Sequence, residues 1–85
     1  FLLLQNYPNP FNPTTKINFQ LTMFNFVSLK VYDILGNEIE SLINENISAG
    51  SYSIEWNASN YSSGVYFYKL ETGSFTDVKR MMLLK

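Results

Sequence analysis

The only side chains in this chain that could carry acid–base chemistry are carboxylates. Glu38 and Glu40 stand two apart, which on a strand puts them on one face, and Asp33 lies across a turn from Glu38. Such a group could be imagined as a glycosidase pair or a calcium site. Neither an Asp-x-Asp spacing nor a Gly-bearing acidic loop accompanies it, so the reading is solvated acids on an outer face. The chain has no cysteine and no histidine, which excludes disulfides, a Cys nucleophile, a Ser-His-Asp triad and His or Cys zinc sites. No metal and no cofactor is expected. Lys79-Arg80 could form an anion site, although a polar face on a hairpin strand explains the pair equally well. Trp56 and the tyrosines suggest a sugar platform; Trp56 shares its alternation with Tyr52 and Ile54, which assigns it to the core and leaves Tyr61, in a loop, as the exposed aromatic. Asn-x-Ser patterns at Asn46, Asn57 and Asn60 carry no weight in a chain this rich in Asn and Ser.

The elements that must position these residues come from an 85-residue chain, the size of one domain. Hydrophobic residues make up 46% and charged residues 15%, a globular balance, with 16% aromatics providing core volume from few positions. The net charge of −1 is unevenly spread: between residues 31 and 68 lie Asp33, Glu38, Glu40, Glu45 and Glu55 with no base. Bases return as Lys69, Lys79, Arg80 and Lys85. No basic stripe of the kind nucleic acid requires is present. The apolar runs FLLL and MMLL are far below the roughly 18 residues of a membrane span. Opening on Phe1 without an export signal, the chain reads as the C-terminal piece of a longer polypeptide.

All three prolines (Pro8, Pro10, Pro13) fall in NYPNPFNPTT, interleaved with Asn6, Asn9 and Asn12. Proline fixes φ and biases the residue before it toward extended backbone, so the stretch is expected as a stiff, polyproline-like path. Its asparagines should satisfy backbone groups while Tyr7 and Phe11 pack inward. Beyond it the period is two. KINFQL, VSLKVYD, EIESLI, SYSIEW, VYFYKLE and FTDVKRMMLLK read as strands, separated by turns at Gly36-Asn37, ISAG, NASNYSSG and TGS. The expected architecture is all-β: an immunoglobulin-like antiparallel sandwich of about seven strands. Residues 1–14 form a Pro/Asn-rich leading segment and 15–85 the body. Inner-face positions are expected at Leu29, Val31, Tyr52, Ile54, Trp56, Val65 and Phe67.

In order and spacing, YPNPFNPTT, VYDILGNE and SGVYFYKL, followed by a basic-apolar ending, resemble the C-terminal sorting domain of type IX secretion cargo, type A. The resemblance covers essentially the whole chain. It implies a module that directs an upstream cargo protein through the type IX translocon to the cell surface or medium, without catalysis of its own. Its partners would be the translocon, a sortase-like surface peptidase and the cargo, with the periplasm crossed in transit. By the same likeness, recognition residues fall on Gly64, Tyr66, Lys79, Arg80, Met81, Met82, Leu83, Leu84 and Lys85, and the proline motif on Pro8, Asn9, Pro10 and Phe11. The family often has proline at or near Thr22; here TMFNF is apolar and proline-free. The alternative is an Ig-like structural spacer or a carbohydrate-binding module of a secreted hydrolase or adhesin.

Overall fold

Alternation along the chain becomes inward and outward faces in a computed structural model that describes residues 1–85. The strands are β1 (Leu2–Leu3), β2 (Thr14–Leu21), β3 (Asn25–Tyr32), β4 (Glu38–Ile47), β5 (Gly50–Asn57), β6 (Gly64–Glu71) and β7 (Thr76–Leu83). They form two antiparallel sheets, β1-β2-β5 and β4-β3-β6-β7, the three-on-four order of an immunoglobulin-like sandwich. β2 buries Thr15, Ile17, Phe19 and Leu21, and β3 buries Val27, Leu29 and Val31, each set at period two. Trp56 is buried, while Tyr52 and Ile54 are half-buried and packed against the core. No buried side-chain nitrogen or oxygen lacks a hydrogen-bond partner.

Three expectations change. In β6 the buried set is Tyr66, Tyr68 and Leu70, so Val65 and Phe67 face outward. The strand lies between β3 and β7 and is apolar on both faces, so its composition carries no phase. Glu38 and Glu40 do not share a face. Register shifts in the β3–β4 pairing place Glu38 opposite Tyr32 and Glu40 opposite the buried Val31. A bulge of this kind re-aims a side chain, and Glu40 accepts hydrogen bonds from Trp56 Nε1 (3.3 Å) and Tyr61 Oη (3.2 Å). Tyr61 is therefore half-buried rather than displayed. Burial, and then the Glu40 carboxylate beside it, push its phenol above the ordinary value.

The third change concerns the prolines. Tyr7-Pro8, Asn9-Pro10 and Asn12-Pro13 are cis, and the segment bends at residues 8–10 and 12–13 instead of running extended. Asn6 and Phe11 are buried, whereas Tyr7 is 78% exposed. Tertiary anchors at Asn6 and Phe11 decide the path, which local φ preferences alone do not specify.

The β3–β4 connection is a built turn. The Asp33 carboxylate accepts from the backbone N–H groups of Leu35 and Asn37 (both 2.9 Å) and from the Asn37 side chain (3.2 Å). Gly36 takes φ +87° there, a left-handed conformation open to glycine at no steric cost. The Asn37 backbone N–H, above all, holds the Asp33 carboxyl below its ordinary value of 3.8. Because the folded value is the lower one, the turn keeps this contribution above pH 3.8 and loses it as pH falls through the folded value. A carboxyl carbon titration should give Asp33 a midpoint below 3.8, with the Asn37 amide reporting the same midpoint. Asn37→Ala keeps the backbone N–H and removes only the side-chain donor, so it should raise the midpoint part of the way; an unmoved midpoint would refute the side chain's share.

Candidate functional site

The last strand reads TDVKRMML, and its alternation sends Met81 and Leu83 into the core, with 1% and 0% exposure. Its neighbour on one side is β6, with Met82 across from Val65 and Arg80 across from Phe67. The other side is the sheet edge, which would ordinarily present a row of unpaired N–H and C=O groups. Here the C-terminal half of that edge is closed by the chain's own beginning. Met82 N–H donates to Asn9 Oδ1 (3.0 Å), and Phe11 N–H donates to the Met82 carbonyl (3.0 Å). Leu84 N–H donates to the Phe11 carbonyl (3.0 Å), and Gln5 Nε2 to the Arg80 carbonyl (2.7 Å).

The leading segment serves both sheets. Leu2 and Leu3 pair with Gln20 and Phe19 of β2, and Tyr7 bridges Lys16 on the same strand. Four residues later Phe11 makes a parallel bridge to Leu83 in the opposite sheet. Proline suits this crossing because it brings no N–H that would need a partner. Asparagine supplies the missing acceptors and donors: Asn9 as above, and Asn6 through Nδ2 to Pro8 O (3.2 Å) and Thr15 Oγ1 (3.0 Å). Thr15 Oγ1 in turn donates to Pro8 O (2.8 Å). Residues 1–14 are thus part of the sandwich as a clasp, and Leu3 and Phe11 belong to its core.

Tyr68 holds the clasp from beneath. Its hydroxyl donates to Leu4 O (2.7 Å) and accepts from Asn6 N–H (2.8 Å), and the residue is fully buried. Tyr68→Phe would leave that carbonyl and that N–H unpaired, at a cost of about 1–3 kcal/mol. Urea unfolding of the two proteins measures the difference, and equal midpoints would refute the role. Burial pushes the Tyr68 phenol up to about 12 from 10.0. Since the folded value is the raised one, this contribution is whole below pH 10.0 and is lost as pH climbs toward about 12.

The residues assigned to recognition by resemblance gather at this end of the sandwich but divide by accessibility. Tyr66 is buried; its hydroxyl donates to Ser62 O (2.7 Å) and its ring meets Trp56 edge-on at 5.8 Å. That is the tyrosine-corner arrangement of immunoglobulin-like sandwiches, which pins the start of a strand to the preceding loop. Gly64 opens the same strand at φ +154° with no atom within 4 Å of a would-be Cβ, so backbone conformation, not space, favours glycine. Lys79 is half-buried and pairs with Asp77 at 3.8 Å. Met82 is half-buried, while Arg80, Leu84 and Lys85 are exposed, as are Pro8, Asn9 and Pro10. Lys85 is tethered, its N–H donating to Ser63 Oγ (2.9 Å) and its Nζ to Ser59 O (2.6 Å). Gln5 and Tyr68 were not singled out by sequence, whereas Asn6 was among the asparagines expected to satisfy backbone groups; a polar residue flanking prolines and a second inward tyrosine two after Tyr66 were the available signals. No three Asp or Glu side chains converge as metal ligands.

No curated protein matches the chain at a significant level. The family model described as the secretion system C-terminal sorting domain matches residues 5–84, from the Gln5 anchor of the clasp to the exposed Leu84. The chain therefore belongs to the family of C-terminal sorting domains that mark proteins for type IX secretion, toward the cell surface or the medium.

Proposed function

We propose that the sandwich is read as a folded, non-catalytic module by the type IX translocon after crossing to the periplasm. A sortase-like surface peptidase then acts on the chain upstream of it, separating cargo from signal. The observation that carries this reading is the clasp. Arg80, Leu84 and Lys85, together with Pro8, Asn9 and Pro10, are exposed at one end of the sandwich. Phe11, Tyr66, Met81 and Leu83 are buried directly beneath them. A receptor would thus meet a fixed array of accessible groups whose positions depend on complete folding. Buried members of the motif act by holding the exposed ones in place.

The test is a periplasmic reporter fused ahead of the domain in a type IX-competent bacterium. The fusion should reach the surface or medium, and a fusion carrying Glu45→Ala, an exposed acid on β4, should do so equally well. Glu40 does not suit as the control, because it is bonded to Trp56 and Tyr61. A reporter that stays in the periplasm with the domain folded would refute the proposal.

A further inference from the structure

The two outward faces of the sandwich differ in chemistry. The three-stranded sheet turns Lys16, Asn18, Gln20, Ser51, Ser53 and Glu55 outward from β2 and β5, a nearly neutral polar surface. The four-stranded sheet carries an aromatic and charged one, with Lys30, Lys69 and Arg80 set among Glu38 and Glu71. In one row across it Tyr32, Phe67 and Arg80 lie side by side; in the next, Lys30, Lys69 and Val78. A cleft of about 250 Å³ opens between these rows and the β3–β4 turn, lined by Tyr32, Ile34, Phe67, Lys69 and Val78. The turn, fixed by Asp33, presents Ile34 and Leu35 at 69% and 83% exposure, and Val78 is 50% exposed.

The charges of this face are poorly accommodated within the chain. Lys30 and Lys69 stand directly opposite one another, an arrangement that destabilises a sheet. Lys30 is relieved by Glu38 at 3.2 Å. Lys69 has only a 4.0 Å contact to Glu71 and the Tyr32 ring at 5.5 Å. Arg80 has no carboxylate within salt-bridge distance. Local conflict of this kind, kept where a neutral polar residue would suit the sheet better, marks a surface completed by something else.

We infer that this face docks an acidic polypeptide segment bearing aliphatic side chains, on the secretion machinery, an inference that rests on the sorting function proposed above. Carboxylates on such a segment would complete Lys69 and Arg80, while its aliphatic groups would enter the cleft beside Tyr32, Ile34 and Phe67. An anionic sugar fits less well. The one carboxylate in the cleft, Asp33, is engaged within the turn, and no free amide lines it to read hydroxyls. The adjoining edge of β7 favours polypeptide too, because the clasp covers it only from the Arg80 carbonyl onward; ahead of it the Val78 N–H is held by the Asp77 side chain alone (2.9 Å), a bond an incoming strand would replace.

The reporter fusion tests this with the double variant Lys69→Gln/Arg80→Gln. Its melting temperature should be unchanged or raised, since removing Lys69 relieves Lys30, yet export should fall at least fivefold. Lys69→Arg/Arg80→Lys should restore export, and Lys16→Gln on the opposite face should leave it unchanged. Val78→Glu gives a second folded probe and should lose export through repulsion by an acidic partner. A benzoylphenylalanine placed at Val78 should cross-link, by mass spectrometry, to an acidic peptide of another protein. Wild-type export of the folded double variant overturns the inference, as does a cross-link to polysaccharide, to a basic peptide or to a second copy of this chain. Retention of the wild-type fusion in the periplasm would instead overturn the sorting proposal on which it rests.

Discussion

Replacing Trp56 with alanine should destabilise the domain by about 3–5 kcal/mol, the range for truncating a large buried aromatic. Trp56 joins both ends of the molecule to its core: Phe11 of the clasp packs at 5.8 Å, Tyr61 at 5.6 Å and the corner residue Tyr66 at 5.8 Å. Its removal opens a cavity among three rings and deprives Glu40 of one of its two side-chain donors. Domains in general hold only about 5–15 kcal/mol in total, and one this small sits toward the lower end. Circular dichroism during urea unfolding measures the loss, Trp56 being the only tryptophan and so unavailable as a fluorescence probe in the variant. Trp56→Phe should recover a good part of it. A midpoint unchanged by Trp56→Ala would show that the ring cluster contributes nothing to the core.

Deleting Met81–Lys85 should abolish both the fold and export. Met81 and Leu83 are fully buried, and each such truncation costs about 2–5 kcal/mol even when the backbone remains. The deletion also removes the Met82 and Leu84 groups to which Phe11 is bonded, releasing the clasp. Loss of the cooperative thermal transition is the expected result, and a truncated chain that melts normally would contradict the packing of β7 into the core. It follows that the end of β7 cannot be removed to ask whether it is the signal. Substitution of Arg80 and Lys85, both exposed, is the informative change, since such replacements usually stay within about 0.5 kcal/mol. Lys79 is the poorer choice because it is half-buried and paired with Asp77.

Some strands are legible in the sequence and others are not, for definite reasons. β2, β3 and β5 each have one apolar and one polar set at period two, so alternation by itself assigns their inner faces. β6 has apolar residues in both sets, and tyrosine settles the choice between them. Tyr66 and Tyr68 bury their rings and still find carbonyl partners at Ser62 and Leu4, which Val65 and Phe67 have no need to do. Glu40 departs from its expected face because a bulge shifts alternation by one without leaving a composition signal. The proline segment announces its importance but not its path, since proline restricts φ and says nothing about which strand edge it will meet. That the proline motif meets the end of β7, the two stretches assigned to recognition by resemblance, is likewise a property of the clasp, a long-range contact between residues more than 70 apart.

The direction of that contact has a mechanical meaning. Phe11 and Leu83 run parallel, so the chain leaves the bridge toward its start on one side and toward its end on the other. A pull on Phe1 against a hold on Lys85 would drag the two segments past one another lengthwise. The hydrogen bonds that Phe11 donates to Met82 and accepts from Leu84 would then be strained in shear and give way together, where a peeled hairpin yields one bond at a time. A cargo tugging during its passage would thus load the pairing of residues 2–7 with β2 first and then meet this bridge as a lock held in shear. Single-molecule stretching between the two termini should show a single high-force rupture, lowered by Phe11→Pro, which removes the N–H that reaches Met82.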